Sequence, residues 1–396
     1  MESVMGKHQW KKKSACLALV LGMVLLSGCS AVRKTVGRIQ EETGIELFQP
    51  EKTGQSGISS IDVLADEREI NSKEELIDYV QEGLASGKTE IVFSTSQLTQ
   101  EEIKDLNTYI EGFYGNVDQF QISGFKFLSR SKVTLSCTVS DNYYIEQKLL
   151  KGIDIPGNRE KAEKTADKCR QILKKIKGET DYEKEKWIHD YLVKNISYGY
   201  PDDDRAADGD AFTTYGALVR GKCVCNGYSE AMKLLCDLSG IDCKMITGTA
   251  GGENHAWNLV KLEDQWYHTD VTWDDPSPDV PGRVLYTYFN VEETAIDKSH
   301  SWDDEWYLTA DGKKYNYFRQ TKKYCRNYQE FRNRCEDELE EKGSPENLQY
   351  LVKDYDKDTY NEESLQFIMK YSGAGSLNFS VSGQDDFRVL YFNLKY

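Results

Sequence analysis

Apolar positions along this chain alternate between two spacings, and the switches between them outline its elements. Ser72 to Leu84 opens with a capping serine followed three positions later by Glu75, and carries Leu76, Ile77, Val80 and Leu84 on one helical face. Helical spacing returns over Gln100 to Tyr114, Arg159 to Lys177, Tyr182 to Lys194, Tyr228 to Gly240, Pro345 to Tyr355 and Asn361 to Tyr371. Strand-like runs occupy Thr89 to Ser94, Phe120 to Phe127, Lys132 to Ser140, 254–262, 265–272, Ser376 to Ser382 and Phe387 to Leu394. The mixture predicts an α+β protein. Element order at the two ends hints at a duplicated small α+β unit on either side of a central region.

The chemistry concentrates in that central region. GKCVCNG (221–227) is a glycine-punctuated loop, and the helix predicted after it carries Met232, Leu235, Cys236 and Leu238 before a closing glycine. Cys225 therefore falls at or just before a helix N-terminus, where free N–H groups and the helix dipole favour a thiolate. Downstream, 254–262 and 265–272 are joined by Glu263 and Asp264, the length of a two-residue hairpin loop. Pairing Leu262 with Gln265 puts Trp257 opposite Asp270 and His255 opposite Thr272. His255 and Asp270 then share a face as diagonal neighbours, about 7–8 Å apart along the backbone. A one-residue slip would separate them. Thiol, imidazole and carboxylate are the parts of an activated cysteine nucleophile: Cys225 attacks, His255 moves the proton, Asp270 orients the ring.

Each residue alone has a structural explanation, since lone cysteines and strand histidines are commonly buried packing groups. A zinc site built from Cys223, Cys225, His255 and His268 is a rival, but Cys-x-Cys lacks the usual two-residue gap and no second pair lies at finger spacing. The expectation is a site with neither metal nor cofactor. Three aspartates at 202–204 lack the spacing of a calcium loop and are expected in a solvated turn within the loop-like stretch Ser197 to Gly209.

Three stretches, YGALVRGKCVCNGYSEA (215–231), HAWNLV (255–260) and WYHTDVTWDDP (266–276), resemble in that order the motifs of the transglutaminase-like superfamily of bacterial surface proteins. The resemblance spans about a quarter of the chain, from Trp187 to Asp275. It implies a papain-like core in which a nucleophile helix packs on an antiparallel sheet, with Cys225, not Cys223, as nucleophile, His255 as base and Asp270 as orienter. The sequence departs from the family in having Asp264 where glycine is frequent, a position where Asp tolerates left-handed backbone, and in a second thiol, Cys223, that invites oxidation. The superfamily chemistry implied is acyl transfer through a Cys thioester. Hydrolysis of a peptide or amide ranks slightly ahead of amine cross-linking. The Cys225 N–H is one oxyanion donor, and Tyr198, Tyr215 and Trp257 are candidates for a second. The alternative is a non-catalytic surface binding lipoprotein that uses the same fold as a scaffold for cell-wall or protein partners.

The remaining composition sets the context. Lys7 and Lys11 to Lys13 precede an apolar run, Ala15 to Leu26, too short for a comfortable membrane span. LSGC, ending at Cys29, resembles the lipobox of bacterial lipoproteins, which implies cleavage before Cys29, lipid attachment to it, and an extracytoplasmic, membrane-anchored protein. The expected organisation is a signal peptide at 1–28, a lipidated cysteine and polar tether at 29–60, an N-terminal α+β domain at 61–155, the transglutaminase-like domain at 156–320 and a C-terminal α+β region at 321–396. The net charge is −16, and removing residues 1–28 takes four lysines and one glutamate with it, leaving −19. Such an acidic body argues against nucleic acid. Expected partners are a protein or peptide substrate, with cell-wall peptide among the candidates, and the membrane through the lipid. In an oxidising compartment Cys236 with Cys243 and Cys325 with Cys335 are locally plausible bridges, while a fully reduced protein fits equally well.

Overall fold

The structure, a computed structural model, describes residues 68–85, 88–99, 102–103, 117–127, 130–201, 209–280, 282–302, 308–385 and 387–396. The apolar run Ala15 to Leu26, the Cys29 lipidation signal, the tether and most of the Gln100 to Tyr114 helix lie outside these residues. None of the described helices is long and apolar enough to cross a membrane.

The first described helix, α1 (Lys73–Ala85), is followed by β1 (Glu90–Thr95), β2 (Val117–Phe127) and β3 (Arg130–Val139), which form an antiparallel sheet in the order β1-β3-β2. Ser72 accepts the Glu75 N–H and so caps α1, and Leu76 and Val80 pack on Ile91, Phe93, Val133 and Leu135. This small layer ends at Ser140. The chain then enters α2 (Asp141–Lys151), a helix absent from the sequence expectation, whose Ile145 is buried in the central core.

Two further helices, α3 (Glu160–Leu173) and α4 (Asp181–Asn195), lead to a two-stranded parallel ladder of β4 (Ser197–Tyr198) and β5 (Lys222–Cys223), and then to α5 (Cys225–Leu238). A reciprocal cap at Thr180 and Glu183 fixes the start of α4. The central sheet contains β6 (Cys243–Ala250), β7 (Glu253–Leu262), β8 (Gln265–Thr269) and β9 (His300–Ser301) in the antiparallel order β8-β7-β6-β9. Met232, Leu235 and Cys236 of α5 are fully buried in the same cluster as Val260 and Leu262 of β7, and Asn258 of β7 donates to the Ser229 carbonyl of α5 at 3.0 Å. A cysteine-bearing helix lying on an antiparallel sheet is the α+β arrangement expected for this core. The sheet register also agrees with the count from sequence, Leu262 opposite Gln265 and Asn258 opposite Thr269.

After the core come β10 (Tyr324–Cys325), α6 (Tyr328–Lys342), β11 (Asn347–Val352), α7 (Glu362–Ser372), β12 (Ser376–Gln384) and β13 (Phe387–Lys395). Their sheet runs β10-β11-β13-β12, and within it β11-β13-β12 repeats the antiparallel topology of β1-β3-β2. The duplication hinted at by element order thus appears as shared strand topology. One element here departs from expectation. Pro345 to Tyr355 is not a helix, because Leu348, Tyr350 and Val352 are buried in the cluster around Phe331 of α6 while Leu351 is buried in the central core. A short apolar run carries no usable period when both faces are covered.

All eight cysteines among the described residues are free thiols, so neither expected bridge is formed. Cys236 and Cys243 are close enough to hydrogen-bond, both fully buried between α5 and β6.

Because α5 is held to the sheet by packing of this face, truncating Leu235 to alanine should destabilise the chain by about 2–5 kcal/mol, read as a lowered urea midpoint. A cost below about 1 kcal/mol would show that the face is not packed as described.

Candidate functional site

Cys225 is the first residue of α5, with Val224 as its extended N-cap. The first intrahelical bond runs from the Tyr228 N–H to the Val224 carbonyl, so the N–H groups of Cys225, Asn226 and Gly227 precede it and point off the helix end. Two backbone features set this position. The Val224 N–H is held by the Ala211 carbonyl at 2.9 Å. At Gly227 a Cβ would stand 2.9 Å from that same carbonyl and 2.6 Å from Cys223 Cβ, so only glycine lets the first turn sit this close to β5. The two neighbouring thiols are thereby sorted. Cys225 is partly exposed, whereas Cys223 is fully buried and its thiol is pushed well up by burial. Oxidation of the pair is disfavoured on the Cys223 side.

His255 comes from β7, opposite Gly248 of β6. Asp270 follows the last residue of β8. The strand expected to continue to Thr272 stops at Thr269, because the Asp270 N–H turns to the Tyr288 carbonyl and 270–275 close a turn through Asp274 N–H to Asp270 O. The turn brings the carboxylate to the imidazole: His255 Nε2 lies 2.8 Å from Asp270 Oδ2. The remaining ring nitrogen, Nδ1, is left for Cys225, whose thiol is in hydrogen-bond contact with the ring. The three residues expected to act together are therefore adjacent in the order Cys225, His255, Asp270. Burial disfavours charge on His255, but the Asp270 carboxylate and the Cys225 contact outweigh it, and its pKa is raised to about 10. Burial likewise opposes ionisation of Asp270, and the two imidazoles that face it hold its carboxyl well below the usual range.

The second of those imidazoles was not anticipated. His300 of β9 places Nε2 at 3.0 Å from the same Oδ2, while its Nδ1 meets Ser299 Oγ at 2.8 Å. The other carboxylate oxygen, Oδ1, accepts the Trp273 N–H at 3.1 Å. His255, Asp270 and His300 have the composition of a metal donor set, their atoms lying within 4.8 Å of one another. Their spacings of 2.8 and 3.0 Å are those of hydrogen bonds, and tetrahedral zinc with ligand bonds of about 2.0–2.2 Å would have to part them. Among the sequence candidates for a zinc site, His268 is buried and accepts the Trp257 Nε1–H at 3.0 Å. That bond also commits the indole N–H, removing Trp257 as an oxyanion donor. Tyr215 stacks against Lys161, and Tyr198 is exposed on β4 beside Cys223.

Behind the turn lies a second polar layer. His189 of α4 bridges Asp190 at 3.3 Å and Asp274 at 3.2 Å, and Asp274 accepts the Tyr288 N–H at 3.0 Å. Glu185, one turn earlier, receives Asn290 Nδ2 at 2.7 Å and Thr269 Oγ1 at 3.3 Å. Thr269 directly precedes Asp270, so α4 braces the carboxylate-bearing turn from both sides. Burial opposes charge on His189, but its two carboxylate partners prevail and raise it to about 9. Burial raises Glu185 to about 8, against the opposing hydrogen bond of Asn290. The signal for these residues was rarity: the chain has five histidines, and three of the four described, His189, His255 and His300, bond a buried aspartate.

Residues 170–271 match the family model described as the transglutaminase-like superfamily. The human protein named kyphoscoliosis peptidase is 31% identical over 109 residues, 24% of this chain and 16% of that protein; its Mus musculus counterpart is 29% identical over the same length and shares. The chain thus spans about a sixth of the length of these relatives. A solved structure described as a TGase is 15% identical, with a TM-score of 0.28, covering 55% of this chain and 61% of that one.

The braced layer has a pH signature. His189 binds its proton more tightly folded than unfolded, so its contribution is whole below about pH 6.5 and is lost as pH rises through about 9. Glu185, protonated in the fold up to about 8, gives a loss of the same sign beginning near 4.5, the value it takes when unfolded. Stability from urea titrations should fall by on the order of a few kcal/mol between pH 5 and 9, and Glu185→Gln should flatten the part below pH 8. A stability that rises across this range would contradict the assignment.

Proposed function

We propose, from the premise that residues 170–271 form a transglutaminase-like domain, that this chain is a cysteine enzyme acting on amide or peptide carbonyls, with Cys225 as nucleophile, His255 as acid and base, and Asp270 as orienter. One observation carries the reading. His255 is held between a partly exposed thiol at a helix N-terminus and a buried carboxylate 2.8 Å away.

The chemistry follows from those positions. The Cys225 thiolate adds to the carbonyl carbon, forming the C–S bond, and the oxyanion meets the N–H groups at the start of α5. The C–N bond then breaks as His255 gives its proton to the departing amine, leaving a thioester. Water attacks the thioester, His255 takes its proton, the C–S bond breaks, and the acid and thiol are released. An amine in place of water would give a cross-link. Hydrolysis is the reading we favour, in agreement with the word peptidase in the name of the relatives. The chain is further proposed to act outside the cytoplasm, lipid-anchored through Cys29, on a protein or cell-wall peptide.

The test is Cys225 alkylation against pH, followed by peptide mass spectrometry beside His255→Ala. A thiolate–imidazolium pair labels rapidly at pH 5–6, and the mutant loses this. Labelling that tracks an ordinary thiol of pKa about 8.5 would sink the enzyme reading in favour of a binding module. Once a substrate is found, Cys225→Ala should abolish turnover and Asp270→Asn should lower kcat by roughly 10⁴.

A further inference from the structure

His300 lies beyond the matched residues 170–271, on a two-residue strand at the far edge of the sheet, yet it shares an oxygen with the central pair. Its place there is built. On β6, opposite His255, Gly248 has no side chain, and a Cβ would come within 2.2 Å of the Ser301 carbonyl, so glycine is what admits β9. Ser299 Oγ fixes Nδ1 and turns Nε2 toward Asp270. Trp257, Trp273 and Tyr288 enclose the ring, with centroids at 4.9, 4.6 and 5.4 Å, and its side chain has no exposed surface.

We infer that His300 is a positioning residue that divides the Asp270 carboxylate between two imidazoles, and so loosens the hold of Asp270 on the proton of His255. A carboxylate that accepts a second N–H offers less negative charge to the first. The consequence for the proposed enzyme, on whose reading this part rests, is an imidazolium stable enough to pair with a thiolate and acidic enough to protonate a leaving amine. Had His300 only propped Asp270 in place, removing it would weaken the pair. If it shares the charge, removing it strengthens the pair. The two roles differ in sign.

The other groups that bear on this pair are Cys225 from α5, His268 from β8, Asp274 from the following turn and Tyr288 from the segment opposite. Replacing Cys225 by alanine removes the thiol and leaves the rest constant. In the full chain carrying Cys225→Ala, ring signals of His255 would be titrated by NMR with His300 intact, as His300→Leu and as His300→Gln. His300→Leu should raise the His255 inflection by about one pH unit, and His300→Gln, which keeps a donor near Nε2, should hold it within about 0.3 unit. If the leucine variant does not fold, His300→Phe keeps the ring contacts and donates nothing. An inflection that falls toward about 6.5, or one that does not move, overturns the proposal. Cys225 labelling on the otherwise intact chain is read separately: an ordinary thiol there, alongside an inflection that responds to His300, would sink the enzyme reading and leave this one standing.

Discussion

A carboxylate with no exposed surface has to be compensated on the spot, and much of the central architecture can be understood as the compensation of Asp270. Removing such a group from water costs several kcal/mol unless partners meet it. Here the partners arrive from three directions: His255 from β7, His300 from β9, and the Trp273 N–H from the turn that Asp270 itself begins. No single element supplies all three. The hairpin brings His255, the glycine gap at 248 admits β9, and the Asp270 N–H is tied to Tyr288 so that the turn cannot relax back into a strand. The second layer repeats the device, with a buried histidine on α4 holding Asp274, whose other oxygen secures Tyr288. Carboxylate, turn and helix are locked in series.

The thiol is placed by different means. Cys225 touches the His255 ring, but its backbone stands where it does because α5 starts there. The start is set by the Ala211 carbonyl holding Val224 and by the missing side chain at 227. A rigid electrostatic half therefore faces a half positioned by packing, and they meet at His255. This division explains how Cys223 and Cys225, two positions apart, differ so widely. In an unbroken strand residues two apart would share a face; here the chain leaves β5 after Cys223 and enters α5 at Cys225, and that change of direction at Val224 sends one thiol into the core and the other to the imidazole.

Sequence carried the local parts of this arrangement and missed the distant ones. The hairpin register was legible because a two-residue loop fixes pairing and period-2 alternation fixes the face. The helix start was legible from its glycines and the apolar spacing beyond. Asp264 was expected to tolerate left-handed backbone, and the residue of the loop that adopts it is Glu263, at φ 55°, since a two-residue loop does not dictate from composition alone which position turns. His300 could not be reached at all. Its strand is two residues long and joins β6 after a wide excursion of the chain, so neither periodicity nor spacing ties it to Asp270. Buried β11 was read as a helix for the related reason that covered strands lose their alternation. Cys236 and Cys243 do lie side by side as their spacing suggested, but proximity and oxidation are separate matters, and their sulfurs are unbridged.

In the reaction proposed above, the steps up to the thioester are indifferent to what finally takes the acyl group. His255 can accept a proton from water or from an amine, and Asp270 orients the ring identically for both. Discrimination has to come from the surroundings of the Cys225 sulfur. Cys225 is partly exposed, and Asn226 beside it donates to the Phe212 carbonyl at 2.6 Å. An enzyme that favours amines has to keep water from a thioester it has already formed, which calls for an enclosed approach. The hydrolysis proposed above therefore requires only that water reach the Cys225 thioester, whereas cross-linking requires in addition that the approach be closed to water.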